Sequence, residues 1–147
     1  VEVNAAQKAR MVKKIREALG GSEAGKTIAV FGLTFKPETD DMRDSPSLAI
    51  IPNLIDKGAT VRAHDPQGVE EAKHLLPGTV EYCDDVYTAA KGADAIVLMT
   101  EWTEYRGLDF DRIKNAMASN VFVDLRNVYE PDTMRCKGFT YTCIGRD

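Results

Sequence analysis

The chain has 147 residues, of which 44% are hydrophobic and 29% charged, and it carries a formal net charge of −4. That is one domain's worth of sequence with enough apolar material for a core, which excludes a disordered chain; no apolar run reaches membrane length, which excludes a spanning segment. The acidic balance excludes nucleic acid as the main partner, because phosphate backbones are bound through a basic face. Cys83, Cys136 and Cys143 are odd in number and widely spaced, with no zinc-type pairing. They read as buried or semi-buried thiols of a reducing, cytoplasmic protein. Val1 in place of an initiator Met reads as a fragment or a processed start.

Taken in order, Val3 to Leu19 places Val12, Ile15 and Leu19 at spacings of three and four among Lys8, Arg10, Lys13, Lys14 and Arg16. This predicts an amphipathic helix with a solvated basic face, stopped by Gly20 and Gly21. Thr27 to Phe31 is an apolar strand, and Ser45 followed by Pro46 starts a helix that runs to about Lys57. Pro52 inside it is expected to kink or shorten that helix. A strand at 60–63, a helix at 68–76, a short strand at 80–82 and a helix at 84–91 capped by Asp84 or Asp85 follow. Ala95 to Met99 is unbroken and apolar, the pattern of a central strand buried on both faces. Thr100 to Gly107 reads as a polar, aromatic loop, 109–118 as a helix, 121–123 as a strand, the region of Pro131 as a turn, and 139–144 as the last strand. His64 and His74 lack partners in the sequence and read as surface or packing residues. The alternation predicts an α/β fold: a Rossmann-like, doubly wound, mainly parallel six-stranded sheet preceded by an N-terminal connecting helix.

The stretch from Gly32 to Pro46, GLTFKPETDDMRDSP, joins the first strand to the helix after it. In an open α/β sheet, ligands bind outside the carboxyl ends of the strands, where helix amides point back at the crevice. Lys36 supplies a point charge suited to a diphosphate, and the planar fork of Arg43 suits one phosphate or carboxylate. A dinucleotide fingerprint, with Asp65 as the ribose acid, is the rival reading. It needs glycines where Thr34, Lys36 and Glu38 stand, so Asp65 is read as a turn residue. Asp40 and Asp41 as a magnesium site is a weaker reading, since two acids beside a phosphate would repel it. No metal is expected.

Lys36 after Phe35, then Thr39, Asp40, Asp41, Arg43, Ser45 and Pro46, resembles the signature of the UDP-glucose and GDP-mannose dehydrogenase family, in its C-terminal, UDP-binding domain. Asp65–Pro66, Thr100–Glu101–Trp102, the run 124–127 reading DLRN, and Gly138, Phe139, Tyr141, Ile144, Gly145 and Arg146 agree in order. Val3, Asn4 and Gln7 resemble the end of the family's long central helix.

The resemblance implies two parts: 1–21 as the end of a connecting and dimerisation helix, and 26–147 as a UDP-sugar-binding domain. It implies that Phe35, Lys36 and Arg126 bind substrate, with Lys36 near the diphosphate, and that Arg43 reaches NAD held mainly by an N-terminal domain outside this chain. Leu125 stands where the family more often has a small residue. The implied reaction is oxidation of the sugar's C6 alcohol to a carboxylate with two NAD⁺, through a cysteine that this chain lacks, in a homodimer; none of its three cysteines sits in a matching context. UDP-glucose is the favoured substrate. GDP-mannose, UDP-N-acetylmannosamine, and a nucleotide-binding module without catalysis stand as alternatives.

Overall fold

The structure is a computed structural model that describes residues 5–34 and 45–143. Helix α1 (Ala5–Ala18) leads to β1 (Thr27–Phe31), α2 (Ser47–Asp56), β2 (Thr60–His64), α3 (Val69–Leu75), β3 (Glu81–Tyr82) and α4 (Val86–Ala90). Then come β4 (Ala95–Leu98), a 3₁₀ turn (Thr103–Gly107), α5 (Phe110–Ala116), β5 (Val121–Asp124), α6 (Pro131–Cys136) and β6 (Thr140–Cys143). The strands lie in the order β3-β2-β1-β4-β5-β6. Every pairing is parallel, so the sheet is wholly parallel rather than mainly so. It is the Rossmann-like α/β sheet that the alternation predicts.

The two central strands show why both faces are covered. Along β1, Ile28 and Val30 join one apolar cluster while Ala29 and Phe31 join the other. Along β4, Val97 faces the first cluster, and Ile96 and Leu98 the second. Successive side chains point to opposite faces, so an unbroken apolar run needs a helical layer on each.

Right-handed crossovers then dictate which helix goes where. The chain moves from β1 outward to β3 with α2 and α3 on one face, then turns back through β4, β5 and β6 with α4, α5 and α6 on the other. That winding leaves the first face uncovered over β4 and β5. Helix α1 fills the gap: Met11 and Ile15 are buried in the cluster that holds Val97, Met99 and Val123. The helix expected from its apolar stripe is therefore part of the sheet's packing.

Three local expectations are corrected. Pro52 does not shorten α2, which runs through it to Asp56; a proline removes only its own backbone donor, here the bond to the residue four before it, Leu48. The turn at Pro131 is a helix, with the proline in its first turn where no donor is needed. Cys136 is exposed, while Cys83 is half-buried and Cys143 buried, and none of the three is in a disulfide. Burial pushes the Cys83 thiol up from its ordinary range, which keeps it protonated and unreactive. Among the described residues no helix is long and apolar enough to cross a membrane.

Candidate functional site at the carboxyl edge of the sheet

In a parallel sheet all carboxyl ends share one edge. Here the edge is built on two buried carboxylates, Asp65 after β2 and Asp124 closing β5, respectively 5% and 0% exposed.

Asp65 holds loops together. Its Oδ2 accepts from the Leu33 and Thr34 amides at 2.6 and 3.2 Å, and its Oδ1 from those of Gln67 and Gly68 at 2.9 and 2.6 Å. The Trp102 indole donates to Oδ2 at 3.3 Å. Asp65 is thus more than a turn residue, and its acceptor capacity is taken up by the protein, which leaves it unsuited to a ribose. Trp102, read from sequence only as part of a polar, aromatic loop, is 3% exposed and part of this knot.

Glycines make the close approach possible. Gly32 has φ +92°, and a Cβ there would lie 2.6 Å from that of Thr100. A Cβ on Gly68 would fall 2.5 Å from the Thr34 methyl. The Thr100 hydroxyl then donates to the Thr34 carbonyl at 2.6 Å, tying the loop after β1 to the loop after β4. Ser45 and Ser47 both donate to the Leu33 carbonyl, at 2.6 and 2.7 Å. The two ends of segment 35–44 are therefore pinned side by side. Phe35, Lys36 and Arg43, with Asp40 and Asp41, lie in that segment, outside the described residues.

Asp124 folds its own turn. Its Oδ1 accepts from the Arg126 amide at 2.9 Å, and its Oδ2 from the Val128 and Tyr129 amides at 2.7 and 3.1 Å. The Tyr141 hydroxyl on β6 donates to Oδ2 at 2.6 Å. Asn127 completes the turn at φ 55°, a left-handed value that Asn tolerates better than most residues. Leu125 packs in the apolar cluster with Val123 and is 5% exposed, so its bulk goes to the core.

Arg126 leaves this turn and meets Glu101 at the end of β4. Its Nε donates to Oε2 at 3.0 Å and its Nη2 to Oε1 at 3.1 Å, a two-pronged pair with side chains 27% and 28% exposed. The arginine that the resemblance assigns to substrate is therefore engaged by a neighbouring acid that sequence reading had not assigned a role. Thr34, Thr100, Glu101 and Arg126 form a continuous line along the edge.

Below the line runs a hydrogen-bonded aromatic chain. His64 Nδ1 lies 2.9 Å from the Tyr105 hydroxyl, and the Tyr129 hydroxyl donates to the Tyr105 carbonyl at 2.5 Å. His64 has a partner after all, contrary to the expectation for it. Burial lowers its pKa from the ordinary value, against the opposing pull of Glu104 and Asp65. Burial first, and then Asp65 and Asp124 respectively, pushes the Tyr105 and Tyr129 hydroxyls well above the usual tyrosine range. Both tyrosines stay neutral and structural. Among the described residues no group of three or more His, Cys, Asp or Glu could hold a metal ion.

Comparison with known proteins identifies the domain. Residues 29–131 match the UDP binding domain of the UDP-glucose/GDP-mannose dehydrogenase family. A UDP-glucose 6-dehydrogenase of Rhizobium meliloti is 50% identical over 99% of this chain, which spans 33% of that relative; one from Bacillus subtilis is 40% identical over the same share. The chain thus covers about a third of the length of these relatives. Among solved structures, an NDP-N-acetyl-D-galactosaminuronic acid dehydrogenase from Methanosarcina mazei superposes with a TM-score of 0.83 at 36% identity, over 96% of this chain and 30% of its own. A UDP-glucose dehydrogenase from Pyrobaculum islandicum gives 0.73 at 30% identity, over 92% and 28%. With family, fold and strand-end signature in agreement, the chain belongs to the UDP-glucose/GDP-mannose dehydrogenase family, as its UDP binding domain.

Proposed function

We propose that this domain binds the nucleotide-sugar of an NAD-dependent UDP-glucose 6-dehydrogenase that makes UDP-glucuronate, in the cytoplasm and for polysaccharide synthesis. The supporting observation is the line Thr34–Thr100–Glu101–Arg126, which ties Thr34, the described residue just before segment 35–44, to the loop whose Glu101 pairs with the arginine of the DLRN turn. In this reading Lys36 contacts the diphosphate, Phe35 and Arg126 contact the nucleotide-sugar, and Arg43 reaches across to NAD. NAD, held mainly by an N-terminal domain, supplies hydride acceptance. This chain's residues hold the substrate so that its C6 carbon meets the nicotinamide, a contribution through orientation and remote binding. Asp65 fits no dinucleotide ribose, and this favours a substrate domain over a nicotinamide domain. The division into a connecting helix at 1–21 and a domain at 26–147, and a homodimer through that helix, belong to the same reading.

The test is NADH formation by the full-length polypeptide. UDP-glucose should be turned over, and Lys36→Ala should weaken UDP binding by about 1.5–3 kcal/mol, the scale of a charge-assisted bond. Turnover of GDP-mannose or UDP-N-acetylmannosamine in place of UDP-glucose would reassign the substrate. UDP binding without turnover of any of the three would leave a nucleotide-binding module.

A further inference from the structure

We propose that Glu101 is a specificity-determining residue, and that the Glu101–Arg126 pair reads the hydroxyls of the substrate's sugar rather than its phosphates. The proposal rests on the reading above, in which Arg126 faces the nucleotide-sugar, and adds to it the chemistry of the surface presented there.

The geometry separates the two halves of the guanidinium. Glu101 takes the Nε and one Nη2 proton, at 3.0 and 3.1 Å. Among the described residues Arg126 Nη1 makes no hydrogen bond, and the side chain is 27% exposed, so Nη1 and the second Nη2 proton are left for an incoming acceptor. Each Glu101 oxygen accepts one guanidinium bond and has capacity for another. The pair therefore offers donors and acceptors next to each other. A vicinal diol, which both donates and accepts at each oxygen, matches that array; a phosphate, which only accepts, does not.

Charge points the same way. A lone Arg126 would attract a diphosphate. With a carboxylate 3.0 Å away, opposite charges cancel at longer range and leave a dipole, whose field falls off faster than that of a single charge. Both side chains are more than two-thirds shielded, so solvent screens the pair incompletely. The two anchors also differ in backbone support: Asp124 fixes the Arg126 amide, and Thr100, adjacent to Glu101, is bonded to Thr34. The pair is thus set in place before substrate arrives, and a site built to bond hydroxyls discriminates strongly against a ligand lacking them.

Calorimetric titration of the full-length polypeptide with UDP and, separately, UDP-glucose tests this. Glu101→Gln keeps the shape and removes the charge. It should leave UDP affinity unchanged or up to about threefold tighter while weakening UDP-glucose about tenfold or more, on the order of one charge-assisted hydrogen bond. Glu101→Asp should recover part of that preference. Equal tightening of both ligands in Glu101→Gln would mean that Arg126 faces phosphate, and unchanged affinity for both would make the pair purely structural; either overturns the proposal. Arg126→Ala separates the two claims. If it leaves both affinities intact, the arginine is outside the site and the underlying reading fails; if it weakens UDP-glucose while Glu101→Gln does not, the role of Glu101 alone fails. A thermal midpoint within a few degrees of wild type establishes that each variant is folded before it is titrated.

Discussion

Asp65 and Asp124 solve the same problem in different ways. Each is a carboxylate buried at the end of a parallel strand, and each is solvated chiefly by backbone amides in place of water or a counter-ion. Asp65 bonds across 31 and 32 residues of sequence, from its own loop to the one after β1. The amides that Asp124 gathers are within five residues, and among the described residues only Tyr141 comes from elsewhere. One acid sets the position of two loops relative to each other; the other sets the shape of a single turn. Pre-organised backbone at a binding edge needs both, because a well-shaped turn in the wrong place positions nothing.

The largest effects come from removing the acids. Asp65→Ala and Asp124→Ala should each destabilise the fold by about 3–5 kcal/mol in urea titration, since each orphans several buried donors at once. The comparison predicts distinct patterns beneath similar totals. In Asp65→Ala the Leu33 and Thr34 amides should lose exchange protection while those of Val128 and Tyr129 keep it, and Asp124→Ala should do the reverse. Common loss of protection in both variants would mean that the edge is a single unit.

A smaller effect sharpens the tertiary half. Gly68→Ala puts a methyl against Thr34 and should cost about 1–3 kcal/mol by overpacking. Thr34→Ser removes the obstructing methyl and should restore part of that loss, which a double-mutant cycle measures. Additive losses would show that the Asp65 knot yields elsewhere.

Next comes pH. His64 precedes Asp65 in the chain and bonds the Tyr105 hydroxyl, and its folded pKa is lowered by burial. The unfolded chain takes up the proton first as pH falls below about 6.5, so stability contributed by neutral His64 is present above that value and is lost progressively below it. The only other histidine is the exposed His74. His64→Gln should flatten the stability profile just below pH 6.5, and an unaltered slope would assign the pH dependence to other groups. The smallest effect is on the local side: Asn127→Gly should change stability by no more than about 0.5 kcal/mol, whereas Asn127→Val should cost about 1–2 kcal/mol at its left-handed φ.

These two knots also mark where sequence reading stopped. The strands were legible to within about one residue because apolar runs bounded by Gly and polar residues leave little choice. Helix α6 was missed because it has six residues and buries little beyond Met134. Asp65 looked like a turn residue, and Asp124 drew no reading beyond its place in the DLRN run, because their partners are amides, which every residue carries and no pattern displays. A recoverable signal was position: an acid closing a buried apolar strand is poorly placed for solvent and well placed to gather loop amides. Glu101 could not be paired with Arg126 from sequence, since only the adjacency of β4 and β5 brings residues 25 apart together. The family signature drew attention to Arg126, and the DLRN run that carries it is the turn that Asp124 folds.

The most direct measurement of the central claim is hydrogen exchange of the full-length polypeptide with and without UDP. The account predicts added protection in 32–46 and around the DLRN turn, at the edge that Asp65 and Asp124 build, with α4 and α5 unchanged. Protection confined to α4 and α5, or to α1, with the carboxyl edge unaltered, would contradict it.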